Sequence, residues 1–339
     1  MAYETGTSSS VVDLLDKFRL FAIAQGWTVN RWTTVGSGRE LCISKGSAYF
    51  NFRAWSNESM LVNGTATAGK HGITMNGSDG YAAGDAWDRQ PGYPVRLSSA
   101  GGDQCHTLFP LVTTTGPFPT YHFFAPDSKT LYAEVQVTTG VFQRWGCGSL
   151  DLFNSAAPGG GRFIYSTAGN HVTNSTGPTS WLGVDADAGS HSCELVPFRA
   201  ADHTSTNSVG ANTNSNASAS MVRVSFSSFD NWAGSGRTVG SYGLGMACQG
   251  GGCHDKVLRD YSPNPLNGIG LLLPNIVSLN IGGEFLSPIG VIPGMRYMDM
   301  TNYLPGDEFT IGSDTWKVFP WYAKGGIGYN RGIAYLKVT

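Results

Sequence analysis

The stretch Cys248-Gln-Gly-Gly-Gly-Cys253-His254 carries the residue types best suited to a metal, because thiolates and imidazole are good ligands for soft ions. Its spacing argues against one. Zinc knuckles commonly separate paired cysteines by about two residues, the gap here is four, and no second pair lies nearby, so the reading is a glycine loop without metal. An iron or zinc site completed by distant residues or by a neighbouring subunit is the alternative. Asp185-Ala-Asp187-Ala-Gly189 offers two carboxylates that can reach one calcium ion, but the acidic residue expected at the twelfth position of an EF-hand loop would here be Val196. A surface turn accounts for the pair. Nor do these aspartates suit sugar cleavage, since carboxylates so close in sequence do not flank a glycosidic bond from opposite sides.

The nucleophile elbow G-x-S-x-G, the phosphate-cradling G-x-x-x-x-G-K-S/T and the zinc-binding H-E-x-x-H are absent from the sequence. No catalytic, cofactor-binding or metal-binding residue is therefore assigned, no cofactor is expected, and the chain is read as not an enzyme. Histidines at 71, 106, 122, 171, 191, 203 and 254 are scattered, and only His191 has an acidic pair near it in sequence. They read as polar residues of core or surface. Trp55, Trp87, Trp145 and Trp232, with many tyrosines, offer a second chemistry: flat rings on which a sugar can stack, as on a module that binds a cell-surface glycan. Filling the core and subunit interfaces is the competing use of the same rings.

Such residues need a scaffold, and composition describes it. Of the 339 residues, 41% are hydrophobic but only 14% charged, against about 25% in ordinary soluble domains. The surface is left to Ser, Thr, Asn and Gly. A neutral surface of this kind suits a chain packed against copies of itself and other subunits, whereas a free monomer uses charge to stay apart. A net charge of −2 and the lack of any Lys/Arg run exclude nucleic acid as an expected partner. No basic segment followed by an apolar one opens the chain, and nowhere do apolar residues run long enough to span a bilayer, so neither export by signal peptide nor a membrane span is expected. Six cysteines, at 42, 105, 147, 193, 248 and 253, are too sparse for a disulfide-framed fold, and reduced thiols after cytoplasmic synthesis are expected.

With 46 Gly and 16 Pro the chain turns often, which predicts a mainly β fold of antiparallel, sandwich-like modules with long loops. One helix is predicted, from Ser10 to Gln25: Val11, Leu14, Leu15, Phe18, Phe21 and Ala22 recur at helical steps, Ser10 and Asp13 form a capping pair, and Gly26 stands at the C-cap. Its apolar face is expected to pack on its own sheet. Strands are predicted at 27–32, 40–44 and 47–55, where Ala48, Phe50, Phe52 and Ala54 alternate with Tyr49, Asn51 and Arg53. Further strands are predicted at 121–124, 131–137, 141–145, 162–165, 221–226, 268–273, 276–279 and 333–338. Residues 69–94, dense in Gly, Asn and Asp, read as one long loop and as a contact segment.

The segment 202–220 lacks large apolar groups and reads as a polar loop or linker. It suggests a helix-plus-meander module over 1–105, a central β module over 106–201 and a C-terminal β-rich module over 221–339.

The opening Tyr3-Glu-Thr-Gly-Thr, with Asp13-Leu-Leu-Asp-Lys-Phe-Arg and Gln25-Gly-Trp27-Thr-Val-Asn-Arg-Trp32, resembles structural proteins of tailed-bacteriophage virions. The block from Tyr121-His-Phe-Phe through Leu131-Tyr-Ala-Glu-Val-Gln-Val to Phe142-Gln-Arg-Trp-Gly-Cys-Gly148 is similar, as is the close, Trp316-Lys-Val-Phe-Pro320 with Arg331-Gly-Ile-Ala-Tyr335. The resemblance covers about half the chain. It implies a virion component of the tail tip, baseplate or fibre-attachment region, present in several copies and partnered by other tail proteins. It carries over no catalytic residue. Gln143-Arg144-Trp145 departs from that family's pattern, so no ligand role transfers to that strand.

Overall fold

The computed structural model describes residues 2–62, 65–97, 104–112, 114–156, 159–166, 171–174, 177–178, 220–226, 229–234, 242–246, 268–281, 285–320 and 331–338. The protein is mainly β: every strand pair in the described residues is antiparallel, and a single α-helix stands among them. In chain order come β1 (Ala2–Ser8), α1 (Val11–Ala24), β2 (Thr28–Val35), β3 (Gly38–Lys45), β4 (Ala48–Val62), β5 (Thr65–Ser78), β6 (Val95–Leu97) and β7 (Gln104–Val112). Next are β8 (Phe118–Ala125), β9 (Thr130–Thr138), β10 (Val141–Ser149), β11 (Asp151–Leu152), β12 (Arg162–Ser166), β13 (His171–Asn174) and β14 (Gly177–Pro178). The remaining strands are β15 (Ser220–Phe226), β16 (Phe229–Gly234), β17 (Tyr242–Met246), β18 (Leu273–Ile281), β19 (Phe285–Asp299), β20 (Glu308–Ile311), β21 (Asp314–Pro320) and β22 (Arg331–Lys337).

These form three sheets: an N-terminal sheet ordered β14-β13-β7-β5-β4-β3-β2 with β6 beside β7, a central sheet ordered β1-β8-β9-β10-β12-β15-β16, and a C-terminal sheet ordered β17-β18-β19-β22-β21-β20 with β11 beside β19. The sheets cross the module boundaries suggested by composition. β1 of the first segment pairs with β8 of the second, β12 of the second pairs with β15 of the last, and the 105/106 boundary falls inside β7. Composition registers local polarity, whereas strand pairing joins segments far apart in sequence.

The central sheet is the middle layer. On one side Phe123, Leu131, Ala133, Val135, Trp145, Cys147 and Ile164 share a core with α1 and the N-terminal sheet. On the other, Phe124, Tyr132, Phe142, Phe163, Tyr165 and Val222 pack against Val277, Ile292, Met295, Tyr297, Phe319, Ile333 and Tyr335 of the C-terminal sheet. Alternate residues of a strand point to opposite faces, so two covered faces make β8, β9 and β10 buried almost throughout.

The helix forms where expected and for the expected reasons. Ser10 Oγ accepts from Asp13 N–H at 3.2 Å, Asp13 accepts in return from Ser8 Oγ and Ser9 N–H at 2.8 Å, and Lys45 Nζ donates to the Gln25 carbonyl at 2.6 Å. Its six periodic apolar residues are all buried. Phe18 makes edge contacts at 5.4 Å with Phe52 of β4, Phe123 of β8 and Trp145 of β10, so it wedges between two layers.

Two strand expectations change. Residues 65–78 belong to β5, leaving a loop only over 79–94, and 268–272 precede β18 rather than starting a strand. The polar stretch 202–219 lies outside the described residues.

Candidate functional site

Three features combine charged or projecting groups: the β4–β5 ribbon, the loop that follows it, and a polar row inside the second core. The ribbon begins as ordinary sheet. β4 pairs with β3 as far as Ala54↔Arg39, and β5 pairs with β7 at Ile73 to Met75; beyond these the two strands pair only with each other among the described residues, from Trp55↔Gly72 to Val62↔Thr65. At about 3.3 Å per residue the ribbon outruns its sheet by roughly 25 Å. Register shifts at Trp55/Glu58 and Glu58/Met60, with Asn57 in left-handed conformation at φ 55°, bend it there. The turn between β2 and β3 braces the bend: Ser37 Oγ donates to the Ser56 carbonyl, and Arg53 bonds both Glu58, at 2.6 Å, and the Val35 carbonyl, at 3.0 Å. Farther out, Ser59, Ala68 and Gly69 are exposed.

The loop 79–94 folds back on its own protein. Gln90, fully buried, accepts from Ala82 N–H at 2.7 Å and donates to the carbonyls of Ala82, Asp85 and Ala86 at 3.0–3.2 Å, doing for the loop what a strand partner does for a strand. Asn76 Nδ2 donates to the Asp88 carbonyl at 2.7 Å, and Arg31 donates to the carbonyls of Ala83 and Asp85 at 2.9 and 2.8 Å. Asp79 then bonds Arg162 and Arg223 of the central sheet, at 2.7 and 2.9 Å.

The polar row crosses the central sheet on its C-terminal face. His122, Glu134 and Arg144 are register partners on β8, β9 and β10. Arg144 Nε lies 2.7 Å from Glu134 Oε1 with both side chains wholly buried, and Arg144 Nη2 also donates to the Pro320 carbonyl at the end of β21. Burial pushes the Glu134 carboxyl up to about 7, against the pull of Arg144. His122 Nδ1 shares a 2.8 Å hydrogen bond with the Tyr3 hydroxyl, and burial, joined by the charges of Lys317 and Lys337, brings its pKa down to about 4. The hydroxyls of Tyr165 and Tyr335 meet at 2.8 Å beside this row. Gly146, opposite Tyr132 and Tyr165, is required here, since a Cβ at that position would overlap both rings.

Sequence-derived candidates fare as follows. Trp87, Trp145 and Trp232 are buried, at 6%, 0% and 1% exposure, and Trp55 is half-buried with its indole N–H bonded to Thr74 at 2.9 Å. The four therefore do not form an exposed stacking face, because the rings close the sheets' interior instead. Cys248, Cys253, His254, Asp185, Asp187 and His191 lie outside the described residues. Among the described residues no three His, Cys, Asp or Glu gather as a metal site, Cys42 and Cys147 are free and buried with burial holding the Cys42 thiol up at about 12, and no helix is long and apolar enough to cross a membrane. The polar row and the Asp79 contacts escaped sequence reading. The first had a signal: Glu134 and Arg144 each interrupt an apolar strand, and a hairpin turning at Thr139-Gly140 sets them opposite each other. Set against known proteins, the chain matches no protein-family model and no curated protein.

Proposed function

We propose that the protein is a structural subunit of a tailed-bacteriophage virion, at the tail tip, baseplate or fibre-attachment region, working through contacts with copies of itself and with other tail proteins rather than by catalysis. The observation that carries this reading is the β4–β5 ribbon. A two-stranded ribbon is marginally stable alone in water, and its unpaired edges invite pairing, so a ribbon that outruns its sheet is best stabilised by a neighbour. Its closing strands, Ser59-Met-Leu-Val62 and Thr65-Ala-Thr-Ala68, hold no charged residue, in keeping with a chain that is only 14% charged. Inside, Arg144, Arg162 and Arg223 tie the central sheet to its two neighbours through the Pro320 carbonyl and Asp79.

Quantitative mass spectrometry of purified, dissociated particles tests it, together with the native mass of the recombinant chain. The expected result is presence in virions at a copy number fitting a closed ring. Replacing the ribbon tip, residues 59–69, by a short Asn-Gly turn is expected to leave the fold intact and abolish assembly. Absence from particles, or an isolated monomer that incorporates equally well without the tip, overturns the proposal.

A further inference from the structure

Asp79 sits at the end of β5 with its side chain 32% exposed, facing Arg162 of β12 and Arg223 of β15, whose side chains are only 8% exposed. Arg162 Nη2 donates to Asp79 Oδ1 at 2.7 Å, Arg223 Nε donates to Oδ1 at 2.9 Å, and Arg223 Nη2 donates to Oδ2 at 3.0 Å. One arginine thus grips both carboxylate oxygens while the other takes one of them, the fork geometry that suits planar oxyanions.

The arginines have anchors other than Asp79. Arg162 Nη1 is held by the carbonyls of Ser47 at 2.7 Å and Ser78 at 3.4 Å, and Arg223 Nη1 by the carbonyl of Val224 at 2.7 Å. Asp230, 67% exposed, also bonds Arg223 Nη2, at 2.6 Å. The buried Arg162 Nε makes no hydrogen bond among the described residues, a further donor that Asp79 does not use. Gly92, at φ 70°, forms the opposite wall, where a Cβ would overlap the Asp79 carboxylate, and Trp232 Nε1 fixes that wall by donating to the Gly92 carbonyl at 3.0 Å.

We infer that Arg162 and Arg223 form a preorganised receptor for a single carboxylate, occupied here by the chain's own Asp79, which makes the 79–94 loop a strap closed on the central sheet by an internal ligand. The receptor is reachable by small solutes because Asp79 is partly exposed. This inference stands independently of the proposed virion role.

Thermal unfolding of the full chain, with sodium formate titrated against sodium chloride at matched ionic strength, tests it. Asp79→Gly empties the receptor; its midpoint is expected to fall and to recover saturably with formate but not with chloride, while the wild type responds equally to both salts. Asp79→Gly combined with Arg223→Gln is expected to lose the formate response. Asp79→Asn keeps the shape and fills the space without charge, so a lowered midpoint that formate does not restore is expected, and this variant reads the inference even where the glycine variant fails to fold. Formate acting no more strongly than chloride on Asp79→Gly, a formate response surviving in the double variant, or an Asp79→Asn midpoint equal to that of the wild type would each overturn it.

Discussion

The two faces of the central sheet are built from alternate residues of the same strands, yet they hold their neighbours by different means. Toward α1 the contact is apolar, with three aromatic rings 5.4 Å from Phe18, and the charged groups on this face, Asp79 with Arg162 and Arg223, tie the central sheet to the N-terminal sheet rather than to the helix. Toward the C-terminal sheet the apolar cluster is interrupted by His122, Glu134, Arg144 and tyrosine hydroxyls. An apolar contact gains from area and shape and tolerates imperfect register. A polar face penalises any arrangement that leaves a charge unpaired, so it selects one alignment of the two sheets.

Four measurements break or sharpen that contrast. Phe18→Ala, at the centre of the apolar contact, is expected to lose the most, about 3–5 kcal/mol in denaturant unfolding, because the cavity lies among three rings that cannot all close on it. Glu134→Leu comes next, at roughly 3 kcal/mol, since it strands a buried guanidinium; adding Arg144→Met is expected to restore most of that loss, as replacing a whole buried ion pair is often neutral. Equal losses in the single and double variants would show that the pair does not act as a unit.

The pH dependence is smaller and carries a sign. Glu134 is raised in the folded state to about 7, above the ordinary value of 4.5, so its stabilising contribution is full below 4.5 and is lost as pH rises through 7. His122 is lowered to about 4 from 6.5, so its contribution is full above 6.5 and is lost as pH falls toward 4. Between 4.5 and 6.5 the two slopes oppose, each at most about 1.4 kcal/mol per pH unit. Unfolding free energy is expected to rise with pH over that window in Glu134→Gln and to fall in His122→Asn. Matching slopes in both variants would deny that these two groups are the ones titrating. The smallest effect belongs to Ser10→Ala, about 1 kcal/mol from the lost helix cap, with both faces of the sheet unaffected.

Much of this was legible in the residues. The helix was marked at both ends by Ser10, Asp13 and Gly26, and β4 by strict alternation from Ala48 to Ala54, because those signals are local. β5 was hidden by Gly69, Gly72 and Gly77, which read as loop; Gly77 is in fact small so that the Trp232 ring can lie against it. β19 was hidden by Pro288, Gly290, Pro293 and Gly294, yet it is strand throughout, with register shifts in its pairing to β18 and β11 lying against Gly290. The Asp79 receptor was illegible for a different reason. Its arginines lie 83 and 144 residues away, and no short window contains both a carboxylate and its partners.

The order of the central sheet also sets a timetable. β2, β3, β4 and β5 are successive hairpins that can close as soon as they leave the ribosome, but β1 must wait for β8, and the sheet is finished only when β15 and β16, ending at residue 234, arrive. Until then the strands that will form the middle layer stand without their later neighbours, a state in which long-range pairing is slow and sticky edges are open. During synthesis the nascent chain is therefore open to association from the emergence of β8 until β16 fills the central sheet, and one face of that sheet stays uncovered until the C-terminal sheet follows.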